Sequence, residues 1–69
     1  MAKKEKYILE YNCGDNIWEI VDEFANPNDI FKYVENNQQN ALYFRLYVNE
    51  RYSYIDFGNK PKEYRFIKY

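Results

Sequence analysis

The chain has 69 residues, 46% of them apolar and 22% aromatic, with a formal net charge of −1. A chain of this length forms one domain (residues 1–69) and hides only about 60% of its unfolded surface, so it has little core to spare. One cysteine and no histidine exclude an internal disulfide and a four-ligand structural zinc site.

The opening MAKKEKYILEYN is basic and then mixed, with no apolar stretch of signal-peptide or membrane-span length. The expectation is a cytoplasmic, reduced protein with no membrane partner. YILEYNC (7–13) alternates Tyr7, Leu9 and Tyr11 against Ile8, Glu10 and Asn12, which predicts a strand. Gly14-Asp15 marks a turn, and IWEIVDEF (17–24) returns as a second strand. A two-residue loop at Gly14-Asp15 would set Trp18 opposite Tyr11 and Ile20 opposite Leu9, with Glu10 and Glu19 directly opposed on the other side.

ANPNDIFKYVENN (25–37) predicts the single helix. Asn26 caps it, Pro27 occupies the first position, and Asp29 favours the positive end of the helix dipole. Ile30, Phe31 and Val34 form its apolar stripe. The polar ENNQQN (35–40) reads as its end and a loop. ALYFRLYV (41–48) and RYSYIDF (51–57) form a second hairpin. With Asn49-Glu50 as the loop, Phe44 opposes Ile55, Leu42 opposes Phe57, Tyr47 opposes Tyr52 and Arg45 opposes Tyr54. GNKPKE (58–63) is a turn before a last strand, EYRFIKY (63–69), whose facing the preceding loop does not set.

The order β-β-α-β-β-β predicts an α+β fold of two layers, one helix on a mostly antiparallel sheet of four or five strands. The expected core is Trp18, Ile20, Phe24, Ile30, Phe31, Val34, Phe44, Leu46, Ile55 and Phe57. Cys13 is expected inside as a structural thiol.

Two surfaces are candidate binding sites. The first is aromatic and basic: Tyr43, Arg45, Tyr47, Tyr52 and Tyr54, pointing away from the helix. Tyrosine offers a rigid ring with a polar tip and is enriched at protein interfaces, although it is also simply a good strand former. The second is acidic: Glu10, Glu19 and Glu23 on the first hairpin, with Asp15 in its turn. Like charges opposed across a ladder cost stability, so a basic partner would account for them, as would neutralisation by Lys3, Lys4 and Lys6. Residues 1–35 hold four basic and eight acidic residues (net −4), and residues 36–69 hold six and three (net +3).

Catalytic equipment is not evident. There is no histidine for proton transfer, no partner for Cys13 and no phosphate-binding glycine loop with only Gly14 and Gly58. Nothing calls for a metal or cofactor. The reading is a non-catalytic protein-binding module. By type it suits a small phage or mobile-element inhibitor, of anti-defence kind, acting on a nucleic-acid-handling host protein. The alternative is a single-stranded nucleic-acid binder that stacks bases on the tyrosines, with Arg45, Arg51, Lys60, Lys62 and Arg65 on phosphates. The apolar part of the open face (Ile8, Ile17, Val21) also suggests homodimerisation, face to face or by edge pairing.

Overall fold

In the computed structural model, which describes residues 6–58 and 62–69, the chain folds as β1 (Tyr7–Gly14), β2 (Ile17–Phe24), α1 (Pro27–Asn37), β3 (Arg45–Asn49), β4 (Tyr52–Asp56) and β5 (Glu63–Lys68). One helix packs on a five-stranded antiparallel sheet of order β2-β1-β5-β4-β3. The last strand therefore enters between the two hairpins. Its sequence suits a central place: Tyr64 and Phe66 face the helix, while Ile67 is buried on the other side against Ile8.

The first hairpin turns at Asp15-Asn16 rather than Gly14-Asp15. Both residues take positive φ, 55° and 59°, which Asp and Asn tolerate and which matches the twist of a tight hairpin. Two register shifts follow, one beside Gly14 and one between Leu9 and Glu10. The second is a bulge at Val21. Trp18 consequently faces Asn12, not Tyr11, and Ile20 faces Glu10, not Leu9. Val21 turns inward and packs against the core, while Ile20 is 68% exposed. Glu10 and Glu19 are not opposed, because Glu19 faces Tyr11.

The second hairpin turns at Glu50-Arg51, with Glu50 at φ 59°. Its register differs by two residues from the expected one. A shift of two preserves the faces but changes the partners. Leu46 now opposes Ile55, Tyr47 opposes Tyr54, and Arg45 opposes Asp56. The expected neighbours Leu42 and Phe57 do meet, through a bond from the Leu42 N–H to the Phe57 carbonyl of 3.2 Å.

Asn26 caps α1. Its Oδ1 accepts from the Asp29 N–H at 3.1 Å, and its own amide donates to the Asp29 carboxylate. Ile30 and Val34 are buried against Tyr7, Leu9, Ile55, Phe57, Tyr64 and Phe66, with Phe24 and Phe31 half-buried beside them. Phe44 and Leu46 are not in this core. They are 47% and 53% exposed. A helix about 10 Å wide covers only two or three strands spaced ~4.8 Å apart, so it cannot reach across five. Here it lies over the β1, β5 and β4 part and leaves the helix side of β3 open. A groove of about 260 Å³ remains between Phe31, Val34 and Glu35 of α1, Leu46 and Ile55 of the sheet, and Phe44 just before β3.

Candidate functional site

The sheet face opposite the helix carries an aromatic network centred on Arg65 of β5. Alternation puts Arg65 on this side, between the inward Tyr64 and Phe66. Its guanidinium carbon sits 4.1 Å from the ring centre of Trp18 and 4.1 Å from that of Tyr52. Its Nε donates to Glu10 Oε1 at 2.6 Å, in a pair whose side chains are only 19% and 16% exposed. Burial acts to lower the arginine pKa, but the bonds to Glu10 and to the Tyr54 hydroxyl outweigh it and leave the pKa raised. A charge-assisted pair of this kind, clasped by two rings, fixes the side chains around it.

Tyr54 ties the network together. Its ring meets Trp18 edge-on at 5.8 Å, Tyr47 in a parallel stack at 5.0 Å and Tyr52 at 6.2 Å. The Tyr47 hydroxyl donates to Glu63 Oε2 at 2.8 Å. Burial first, then that bond and the surrounding negative charge, push the Tyr47 pKa up to about 12. Arg45 donates to Asp56 at 2.9 Å, and Asp56 also accepts from the Gly58 N–H at 3.0 Å. Asp56 is fully buried. Trp18, Tyr47, Tyr52 and Tyr54 are all half-buried.

The structure brings together Arg45, Tyr47, Tyr52 and Tyr54 of the expected aromatic surface. Tyr43 stands apart, before β3, with its ring against Gly58. The expected acidic surface is divided by the Val21 bulge. Glu10 lies on the open face, bonded to Arg65. Glu23 lies on that face too, opposite Ile8, and pairs with Lys6 at 3.6 Å. Glu19 is on the helix side opposite Tyr11, and Asp15 is exposed in the turn. Lys3, Lys4 and Lys60 lie outside the described residues.

Two members of the network escape a sequence reading. Trp18 reaches this face only because Val21 bulges, and no glycine or proline signals that bulge. Arg65 is assignable to the face by alternation once β5 is known to be central, which depends on long-range pairing.

Cys13 is exposed, not inside. Local desolvation, then the nearby Glu19 carboxylate, raises its pKa and favours the unreactive thiol. Among the described residues, no three His, Cys, Asp or Glu side chains are grouped to hold a metal ion, and no helix is long and apolar enough to cross a membrane.

No known protein-family model, curated protein or solved structure matches the chain significantly.

Proposed function

We propose that this chain is a non-catalytic protein-binding module that engages its partner through the open sheet face. The observation that carries the reading is the set of half-buried rings, Trp18, Tyr47, Tyr52 and Tyr54, locked around Arg65 with no second layer of described residues above them. Rings already fixed in place lose little entropy on binding, and Trp, Tyr and Arg are the residue types that dominate interface energies.

The same geometry argues against nucleic acid as the partner. Arg65 is packed against the Trp18 and Tyr52 rings and bonded to Glu10, and Arg45 is held by Asp56. Neither is left to hold a phosphate, which leaves Arg51 and Lys62, both exposed, as the described cations of that alternative. Tyr47 and Tyr54 already stack on each other, which removes ring faces that bases would need. The non-catalytic part rests on the absence of histidine from the sequence and on the raised thiol pKa of Cys13. The narrower reading is an inhibitor from a phage or mobile element that occupies the basic groove of a nucleic-acid-handling host protein. Of the expected acids it would draw on Asp15, exposed in the hairpin turn, since Glu10 and Glu23 are engaged by Arg65 and Lys6 and Glu19 lies on the helix side.

Two measurements test the reading together. The immobilised chain should retain a protein from lysate of its host, and Tyr52→Ala should lose that protein while keeping its fold. A single-stranded oligonucleotide should not shift at low or moderate salt. Retention of the oligonucleotide at low salt, with affinity falling steeply as salt rises, would establish the nucleic-acid alternative instead.

A further inference from the structure

Strand β3 ends the sheet, and no strand among the described residues pairs with its outer edge. On the helix side of this edge Leu46 and Val48 are 53% and 68% exposed, and Phe44, just before the strand and lining the same groove as Leu46, is 47% exposed. Such edges are ordinarily blunted by a bulge, a proline, a lysine or a covering segment. Residues 45–49 contain no proline or lysine, and their register with β4 is unbroken. The one charge within the strand, Arg45, is already bonded to Asp56 of its own chain. The edge is therefore apolar on one side and neutralised on the other.

We propose that a second copy of this chain occupies this edge. The two β3 strands pair antiparallel about a twofold axis at Leu46, giving one continuous sheet across both copies. Self-complementarity is the argument for a second copy. An axis at Leu46 sets Leu46 opposite the partner's Leu46 and Phe44 opposite the partner's Val48, so apolar meets apolar along the helix side. On the other side Arg45 falls opposite the partner's Tyr47, a cation facing a ring. Moving the axis one pair along the strand, to Arg45, would set the two guanidiniums against each other, and like charges directly opposed destabilise a ladder. The other sheet edge is no substitute. Strand β2 is bulged at Val21 and carries Glu19, Asp22 and Glu23.

The pairing is closed, because each copy has a single such edge, so it stops at a dimer. A twofold axis perpendicular to the sheet keeps like faces on the same side. The dimer would then present two aromatic platforms side by side. The proposal does not depend on what those platforms bind.

Sedimentation of the full chain across micromolar to sub-millimolar concentration tests the association. A dimer is expected at the upper end. Leu46→Lys and Val48→Lys should each weaken it by more than about tenfold, with unchanged circular dichroism because both side chains are already mostly in water. A strict monomer throughout, larger open assemblies, or a dimer indifferent to both lysines would overturn the proposal. Geometry is tested separately in a Cys13→Ser background. Leu46→Cys should oxidise readily to a linked dimer, since the axis places the two cysteines face to face. Val48→Cys should not, because its counterpart lies four residues away along the ladder. The reverse pattern would overturn the axis at Leu46.

Discussion

Strands β2 and β3 both end the sheet, and both turn apolar side chains toward water, yet they are built differently. Ile17 and Ile20 of β2 are 58% and 68% exposed, but they stand among Glu19, Asp22 and Glu23 on a strand whose pairing is broken by a bulge. Strand β3 has no break in its pairing and carries its apolar residues in an uninterrupted alternation. One edge is guarded against pairing with another strand and the other is not. Where a small protein omits that guard, association is permitted. The contrast thus locates the contact surface more sharply than the count of tyrosines does.

The largest expected difference between the two edges lies at Asp56. This buried carboxylate bonds both Arg45 and the Gly58 N–H, and so holds β3 and the chain leaving β4. Asp56→Ala should cost about 3 kcal/mol in urea unfolding, since it strips partners from a buried site. Glu19→Ala on the guarded edge should change stability by no more than about 0.5 kcal/mol, as exposed substitutions usually do. Equal losses at the two sites would remove the claim that β3 is anchored from within.

The two glycines sharpen the same contrast. Gly58 has φ 83°, and a Cβ there would lie 2.9 Å from the Leu42 Cβ and 3.0 Å from the Tyr43 ring. Gly58→Ala should cost about 2 kcal/mol, from backbone strain and a clash with the segment that leads into β3. Gly14 has φ 122°, but a Cβ there meets nothing within 4 Å. Gly14→Ala should therefore cost only its conformational strain, about 1 kcal/mol. Thermal melts of the two variants side by side would show the difference.

Removing the bulge would attack the guard itself. Deleting Val21 should make β2 run in one register with β1 from Tyr7 to Asn12, at a cost of about 1–2 kcal/mol for its lost packing. In a Val48→Lys background, which closes the β3 edge, this deletion should create concentration-dependent association where none remained. If sedimentation detects none, the three acids alone guard β2.

Much of the architecture was legible because it is local. Alternation marked the strands at 7–13 and 41–48, turn signals marked the segments that follow them, and Asn26-Pro27 with the stripe Ile30, Phe31 and Val34 marked the helix. The misreadings share a physical cause. Asp15 and Asn16 both accept positive φ, so the turn moved one residue past the glycine that signalled it. The Val21 bulge then moved Trp18 to the open face, and no residue type announces a bulge of this kind. Phe44 and Leu46 were expected inside because alternation states that a face is apolar, not that a helix is wide enough to cover it. The rings of the site were visible as residues. Their partner was not, because Glu10 and Arg65 stand 55 positions apart and meet only once β5 lies between the hairpins.

The smallest effect concerns Tyr47, where β3 meets the aromatic face. Its hydroxyl donates to Glu63, and its folded pKa of about 12 lies above the ordinary 10. The protonated ring is thus favoured by the fold. That stability is fully present below pH 10 and is lost as pH rises from 10 toward about 12. Tyr11 and Tyr64 are raised as well, mainly by burial, so the alkaline loss is shared among the three. Tyr47→Phe should cost about 1 kcal/mol at neutral pH, through the lost bond to Glu63, and should flatten part of the alkaline decline. The Tyr11 pKa is raised by burial and by the neighbouring Cys13, so Tyr11→Phe should flatten the decline while leaving neutral stability nearly unchanged. Urea midpoints measured from neutral pH upward distinguish the two. If both variants lose the same stability at neutral pH, the Tyr47–Glu63 bond contributes nothing to holding the exposed edge strand.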